Sequence, residues 1–516
     1  MTCLVYSAFF VFRYGGLWIE NDTGVFSRAA ALFIHHGSLA YGATYNHGFA
    51  YTAWLGSLSL LTGLNPATFN TIIMPFLGLM LLVIPGYLAY SILLDSSKLA
   101  ALGAVILVTI PDITFSAVRG THEKLSMAFV TLGIFCLFKA FEAIISDGGH
   151  RRYRLIQWLL LYLLTVFLNV STNDYFASTF AFATTLTLAF GFIGLKLRAV
   201  PNHESLSSVL KVLSFTVLAS WIIVYWVMFI VYPPEARDFL LLKGAINQLS
   251  HLFATFQPST NPYAVASSQW ASQAAFDLMN VFRWFIVIVS ATMWGIDVFR
   301  IAFRKQPLDP RRLFLLALYA AFALLVAISI PLDFSALAVG SNLEVRNFTY
   351  VILLGTPFVA KAIYRAANTP WIVKQFAVRK VARPLIIAIM FGMLGLGFLK
   401  VTLDPLVSNN WLYYTPNEAE ALRFFWTHNH NQILWTGPDD RLAFYAHARL
   451  IWGGHGNQIV GYTPLPFTKD FLASPIVISS DRVLNQPMYD YPQNDRIYDN
   501  GGAQIYRTRP VSSFMQ

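Results

Sequence analysis

Along the first four hundred positions of this chain, apolar segments of about 17–25 residues recur, separated by short polar connections. That recurrence constrains the fold more than any motif does. A helix of such a segment, rising about 1.5 Å per residue, matches the roughly 30 Å hydrocarbon thickness of a bilayer. Alternating ten-residue stretches, the mark of a membrane barrel, do not occur, so the backbone must satisfy its hydrogen bonds within helices. The composition agrees: 56% of the 516 residues are hydrophobic and 12% are charged, against about 25% charged in soluble domains. The expected fold class is a polytopic α-helical membrane protein of about 11–12 transmembrane helices, followed by a small C-terminal extracytoplasmic α/β domain.

The first helix is expected at Thr2 to Leu17, and no cleavable signal peptide is evident before it. Val25 to Ser38 has an apolar face (Phe26, Ala30, Phe33, Ile34) opposite Arg28, His35 and His36, the pattern of a helix lying at the interface. Phe49 to Leu61 is short and rich in Gly, Ser and Thr. Spans are expected at about Asn70–Leu94, Leu99–Phe115, Leu125–Phe141, Leu155–Val170, Phe176–Leu195 and Val209–Tyr232. Leu278–Phe299, Leu313–Leu332, Phe348–Ile363 and Pro384–Phe398 continue the series. If Phe49–Leu61 does not cross, the basic connections all fall on one side. These are Arg151-Arg152-Tyr153-Arg154, Lys196 with Arg198, Arg300 through Arg312, and Lys361 through Arg383. That side is then cytosolic, which accounts for the net charge of +10 without nucleic acid as a partner. The external stretches are then 20–61, 112–124, 233–277 and 333–346, together with everything after 403.

The boundary expected between the transmembrane part, 1–403, and the terminal domain, 404–516, is a change of character. Pro416 to Trp426 has helical spacing behind an N-cap at Thr415. Gln432–Gly437 and Pro475–Ser480 read as strands, Arg441–Leu450 as a helix, and Tyr498–Arg507 as strand, turn, strand. The loop Pro233–Asp277 is long for a chain with such short connections and reads as a lid or binding loop. Cys3 and Cys136 both lie in apolar segments and read as packing residues.

Two polar knots interrupt the apolar pattern on the external side. The first is Glu20-Asn21-Asp22-Thr23; the second, about a hundred residues on, is Arg119-Gly120-Thr121-His122-Glu123-Lys124. Carboxylates at the mouth of a helical bundle can serve as general base toward an acceptor hydroxyl, or two can share a divalent metal. Asp22, Glu123 and His122 are therefore the candidate catalytic residues, and Asp22 with Glu123 the candidate metal ligands. Arg346 lies at the external edge of a span, where topology disfavours positive charge. A guanidinium there matches phosphate oxygens, or else pairs with Glu344 or Asp333. Arg119 and Lys124 are further candidates for the same work. His47, with His35 and His36, suits hydrogen bonding to substrate better than a zinc site. Tyr45, Tyr41, Tyr51 and Trp54 could stack on a sugar, and Glu20 stands at the edge of the binding region. The sequon-like Asn21-Asp22-Thr23 reads as a chance match.

Two stretches resemble the GT-C superfamily of membrane glycosyltransferases. Asp22-Thr23-Gly24-Val25-Phe26-Ser27-Arg28-Ala29-Ala30, continuing to His36-Gly37-Ser38-Leu39, is similar to the family's first external loop. Ile110-Pro111-Asp112 through Arg119-Gly120-Thr121-His122-Glu123 resembles the second external loop of the oligosaccharyltransferase catalytic subunit. The resemblance implies transfer of a sugar from a polyprenyl phosphate or pyrophosphate carrier to a lipid, glycan or protein acceptor on the extracytoplasmic face of the cell membrane. It implies Asp22 as the catalytic carboxylate and Glu123, with His122, as the second acidic position. In metal-dependent relatives that position helps hold a divalent cation (Mg or Mn). It also implies Arg346 beside the carrier phosphate. No Trp-Trp-Asp-Tyr-Gly motif occurs, so sequon-reading N-glycosylation is not expected. The adjacent Asp-Glu pair of the O-mannosyltransferase and aminoarabinose-transferase type is absent too, since Glu20 and Asp22 are separated by Asn21.

Two other classes of function compete. A transporter or flippase of lipid-linked saccharides predicts an internal repeat and ionisable residues at mid-membrane. Here the ionisable residues cluster at helix ends and no inverted repeat is visible. A non-catalytic scaffold predicts that Asp22→Asn is without consequence.

Overall fold

The structure is a computed structural model. It describes residues 2–14, 21–39, 47–145, 151–196, 203–236, 273–304, 310–334, 343–368, 384–385, 387–397, 415–428, 434–435, 460–461, 476–480 and 494–507. Glu20, Tyr41, Tyr45, the expected helix Arg441–Leu450 and the 237–272 part of the long loop lie outside the described residues.

The order of helices is α1 Thr2–Tyr14, α2 Asn21–His36, α3 Ala50–Thr62, then α4, which runs unbroken from Pro66 to Leu94. There follow α5 Ser97–Thr109, α6 Pro111–Val118, α7 Glu123–Ile145, α8 Arg151–Thr172, α9 Asp174–Lys196 and α10 His203–Trp226. The last helices are α11 Gln273–Arg304, α12 Pro310–Phe334, α13 Leu343–Asn368, α14 Ile387–Gly397 and α15 Pro416–His428. Seven of them, α4 and α7 to α12, are long and apolar enough to cross a membrane, which makes this a multi-pass membrane protein. The pair α5–α6 makes an eighth crossing if counted as one, but it bends by 74°. Leu99–Phe115 is thus not the straight span expected. Pro111 has no N–H to offer α5 and starts a new helix instead. The remaining expected spans are α1, α13 and α14. At 13 residues α1 is short, α14 is 387–397, and α13 carries Arg346 and Lys361 near its two ends.

Burial follows from lipid as the solvent. Ile156, Leu160 and Leu164 make an exposed stripe on α8, and Phe215, Leu218 and Ile222 make another on α10. The side facing the bundle packs into one core through Tyr162, Leu210, Phe322, Tyr350 and Leu353.

Two belts of charge mark the ends of this bundle. One end holds Asp112 on α6, whose carboxylate accepts from Arg283 Nε and Nη2 of α11 at 2.7 and 2.8 Å. The other end holds Asp297, fourteen residues further along α11, with Arg312 Nη2 at 2.6 Å and Lys361 Nζ at 3.3 Å. Beside it Glu142 takes Lys139 at 2.7 Å and Arg311 at 3.2 Å. Fourteen helical residues separate the belts by about 21 Å, the scale of a hydrocarbon core.

The short helix α3 does not link the two ends. Its entry is held at the first belt, where the Phe49 N–H donates to Ser171 O at 2.9 Å. Its first turn returns there through Tyr51, whose hydroxyl donates to Asn70 Oδ1 at 2.7 Å. With both Tyr51 and Asn70 at one level, the intervening chain goes out and comes back on one side.

The C-terminal segments form a five-stranded mixed sheet in the order β2-β1-β3-β5-β4. The strands are β1 Leu434–Trp435, β2 Val460–Gly461, β3 Ile476–Ser480, β4 Asp495–Asp499 and β5 Ala503–Arg507. The expected cap is present on α15. Glu418 N–H donates to Thr415 Oγ1 at 3.2 Å, and Thr415 N–H to Glu418 Oε2 at 2.8 Å, a reciprocal capping box. Phe425, Ile476 and Ile505 pack into one cluster that also takes in Ala67 at the start of α4. The sheet therefore sits at the same end as Asn70.

Candidate active site

Four helices begin at this end with a charged first turn: Asp22 on α2, Glu123 on α7, Asp174 on α9 and Arg346 on α13. Each helix N-terminus is the positive end of a dipole, so the region favours carboxylates and phosphates.

The two polar knots meet. Arg119 Nη2 lies 3.3 Å from Asp22 Oδ2, and its Nη1 lies 3.4 Å from Glu123 Oε2. One guanidinium thus stands between two carboxylates ninety-seven residues and four residues away from it in sequence. Arg119 is 15% exposed, Glu123 18% and Asp22 29%, so the group is open to a substrate while largely shielded. The Phe115 ring lies 5.1 Å from the guanidinium centre and gives it a face to rest on.

Backbone packing places the knots. Gly120 N–H donates to Thr23 Oγ1 at 3.1 Å. Asn70 Nδ2 lies 2.9 Å from Gly120 O, 3.2 Å from Ser27 Oγ and 3.3 Å from Thr23 O. Asn70 is wholly buried, and it ties α2, α3 and the α6–α7 connection together. A Cβ on Gly120 would run into Thr23 Cγ2 and the Asn70 amide, so only glycine lets the two loops approach this closely. Asn70 itself sits in a π-turn, Phe69–Ile73, inside α4. Such a turn widens the helix and often marks a functional position. Sequence reasoning passed over Asn70 as the first residue of a span. The available signal was an amide inside an apolar run, which a membrane tolerates only when it is bonded.

Lys124 is not a phosphate-binding residue. It is fully buried, and its ammonium donates to the carbonyls of Arg119 and Ala117, closing the end of α6. Its charge fixes the backbone that carries Arg119.

His122 is buried under the first loop, its ring edge-on to Phe26 with centroids 5.1 Å apart. Asn173 Oδ1 accepts the Phe176 N–H at 2.9 Å, which turns its Nδ2 toward His122 Nε2, 2.6 Å away. Nε2 is therefore the acceptor, and the ring proton belongs on Nδ1. Burial, followed by the charges of Arg346, His47, Arg119 and Lys124, holds the imidazole well below its usual value of 6.5. His122 is neutral in the fold.

His47 arrives beside α9. Its carbonyl accepts the Asp174 N–H at 2.9 Å, and its Nδ1 is 3.6 Å from Asp174 Oδ1. Arg346 lies with its guanidinium 5.4 Å from the Tyr175 ring centroid. The neighbouring Asn347 accepts from the Tyr175 hydroxyl at 3.1 Å. Asp22, Arg119, His122, Glu123, His47 and Arg346 therefore belong to one region. Tyr51 does not offer a face to a sugar, because it is wholly buried with its hydroxyl on Asn70. His35 and His36 meet edge to face at the exposed far end of α2.

The carboxylates do not form a metal cage as they stand. Among the described residues no three His, Cys, Asp or Glu side chains group together. The place between Asp22 and Glu123 is filled by Arg119.

No protein-family profile and no curated protein matches the sequence. Solved structures do. An oligosaccharyltransferase of Archaeoglobus fulgidus in the apo form aligns with a TM-score of 0.59 at 11% identity, over 93% of this chain and 69% of that one. AglB from the same organism, in complex with an inhibitory peptide and a dolichol-phosphate, aligns with a TM-score of 0.58 at 10% identity and the same coverage. ArnT from Cupriavidus metallidurans bound to undecaprenyl phosphate aligns with a TM-score of 0.53 at 12% identity, over 98% of this chain and 97% of that one. The chain has the GT-C fold that its two loops resemble.

Proposed function

We propose that this protein is an integral membrane glycosyltransferase. It moves a sugar from a polyprenyl phosphate or pyrophosphate carrier to an acceptor hydroxyl on the extracytoplasmic face. The observation that carries this reading is the meeting of Asp22 and Glu123, from separate loops, across the guanidinium of Arg119 at one end of the bundle. Two structures of similar fold were solved with polyprenyl-type phosphates, AglB with dolichol-phosphate and ArnT with undecaprenyl phosphate, which favours a lipid-linked donor. The basic belt at the opposite end favours a cytosolic placement of that end and an extracytoplasmic site. On this reading residues 1–403 are the catalytic membrane domain and 404–516 an extracytoplasmic α/β domain above it.

In the reaction Asp22 takes the proton of the acceptor hydroxyl, or orients that hydroxyl, as it attacks the sugar carbon. The bond from that carbon to the carrier phosphate breaks, and the phosphate leaves with the electron pair. Arg346, beside four helix N-termini, stabilises the charge growing on the phosphate. Arg119 holds the Asp22 carboxylate in place through their 3.3 Å ion pair. Neutral His122, its proton on Nδ1, offers a hydrogen bond without adding charge, and His47 stands next to it. Glu20 and Tyr45 remain candidate substrate contacts, and the loop Pro233–Asp277 is the candidate lid. Mg or Mn held by Asp22 and Glu123 would have to displace the Arg119 guanidinium, and no step above depends on one.

The test is transfer of label from a polyprenyl-phosphate sugar by wild type and Asp22→Asn. A loss of about 10²–10⁴-fold is expected for removal of a positioned base. Equal rates would end this reading.

A further inference from the structure

At the end of the bundle opposite Asp22, a cavity of about 180 Å³ opens between α4, α11, α12 and α13. Arg311, Arg312 and Lys361 line it together with Asp297, and Leu94 and Phe358 form part of an apolar wall. We propose that this cavity binds the phosphate group of a membrane lipid, at a site separate from the reaction centre.

The charge balance supports an anion. Asp297 is 1% exposed and already shared by Arg312, Lys361 and, at 4.0 Å, Arg300. One carboxylate cannot saturate three cations, and it holds two of them at the cavity wall. Arg312 Nε has no hydrogen-bond partner among the described residues. Arg311 also lines the cavity and reaches Glu142, which Lys139 holds as well. Guanidinium donors in a fixed fork suit phosphate oxygens.

The source of the phosphate follows from the surroundings. The cavity lies at the level of the basic belt, where basic pockets between transmembrane helices take lipid head groups. Its wall is half aliphatic. A second carboxylate, Asp95, exposed and in a left-handed backbone at φ 50°, also lines the cavity. It disfavours dianionic inorganic phosphate more than a phosphodiester carrying a single charge.

The experiment titrates purified full-length protein in a neutral detergent and follows its thermal midpoint. The probes are dioctanoyl phosphatidylglycerol, inorganic phosphate and dioctanoylglycerol, which lacks the phosphate. Saturable stabilisation by the phospholipid alone is the expected result. Arg311→Gln should raise its half-saturating concentration about tenfold, the scale of one lost charged hydrogen-bond partner. That variant leaves Asp297 with Arg312, Lys361 and Arg300, and Glu142 with Lys139, and its unliganded midpoint is the baseline against which its titration is read. Lys361→Arg keeps the charge and should keep the affinity. Equal stabilisation by dioctanoylglycerol, or an unchanged half-saturation in Arg311→Gln, would overturn the proposal. Stabilisation by inorganic phosphate as strong as by the phospholipid would overturn the lipid as its source.

Discussion

The two ends of the bundle solve opposite charge problems with the same few parts. At one end two carboxylates, Asp22 and Glu123, flank a single guanidinium. At the other, three cations surround a single carboxylate, Asp297. The ratio is inverted, and so is the burial. Asp297 is 1% exposed, whereas Asp22 is 29% exposed. A buried central ion with several partners is a tie, since any loss strands the others. A cation between two half-buried carboxylates that water still reaches is a clasp that a substrate or ion can open at less cost than a fully buried tie. The difference separates a joint that holds helices from one that, on the proposed reading, does chemistry.

That distinction breaks if Asp22→Asn and Asp297→Asn behave alike. For Asp22→Asn the thermal midpoint should stay near wild type while transfer falls by about three orders of magnitude. For Asp297→Asn the expected result is reversed: folding stability falls by about 3 kcal/mol, the low end for a broken buried pair because its cations can turn to water. Activity measured below the new midpoint should stay within a few-fold. Thermal unfolding and initial rates on the same preparations check both. A variant at Asp22 that unfolds, or one at Asp297 that folds normally without turnover, would merge the two ends into one kind of joint.

Gly120→Ala sharpens the comparison from the backbone side. The new methyl meets Thr23 and Asn70, so the two loops must separate by tenths of an ångström to whole ångströms. Overpacking of this kind costs about 1–3 kcal/mol. Transfer should fall further than the stability loss alone explains, because Arg119 and Asp22 move apart. Gly295, where a Cβ meets nothing within 4 Å, is the control position on α11. An Ala there should change neither rate nor midpoint by more than a few tenths of a kcal/mol.

How much of this was legible in the sequence depends on where each charge sits. Asp22 and Glu123 could be read because each interrupts an apolar run at its end, and the alternation of spans put both on one side. Thr415 could be read as a cap because its box with Glu418 spans only four residues and is local. Asn70, Asp297 and Lys124 could not be read. Asn70 works only where α2, α3 and the α6–α7 connection converge. Asp297 depends on Lys361, sixty-four residues away. Lys124 read as a further candidate for binding phosphate, and only the packing of α6 against α7 reveals that its ammonium is turned inward. The bend at Pro111 was visible as a proline, but its consequence, a separate helix carrying Asp112 to Arg283, depends on a partner 171 residues on.

The smallest expected effect tests whether the Asp22 end keeps a neutral imidazole under its clasp. His122 has its folded value lowered well below 6.5 by burial and by Arg346, His47, Arg119 and Lys124. Above pH 6.5 neither the folded nor the unfolded chain protonates this ring, so it adds no slope. Below 6.5 the unfolded chain takes up a proton that the folded chain refuses, and stability falls as pH falls, by up to about 1.4 kcal/mol per unit. The loss continues down to the lowered folded value. His122→Asn removes the titrating group, so its midpoint between pH 7 and pH 5 should fall less steeply than that of wild type. Comparing slopes rather than absolute midpoints removes the separate cost of the smaller side chain. Parallel slopes for wild type and His122→Asn would mean that the ring is charged in the fold. Its hydrogen bond to Asn173 would then have to run the other way, from Nε2–H to the amide oxygen.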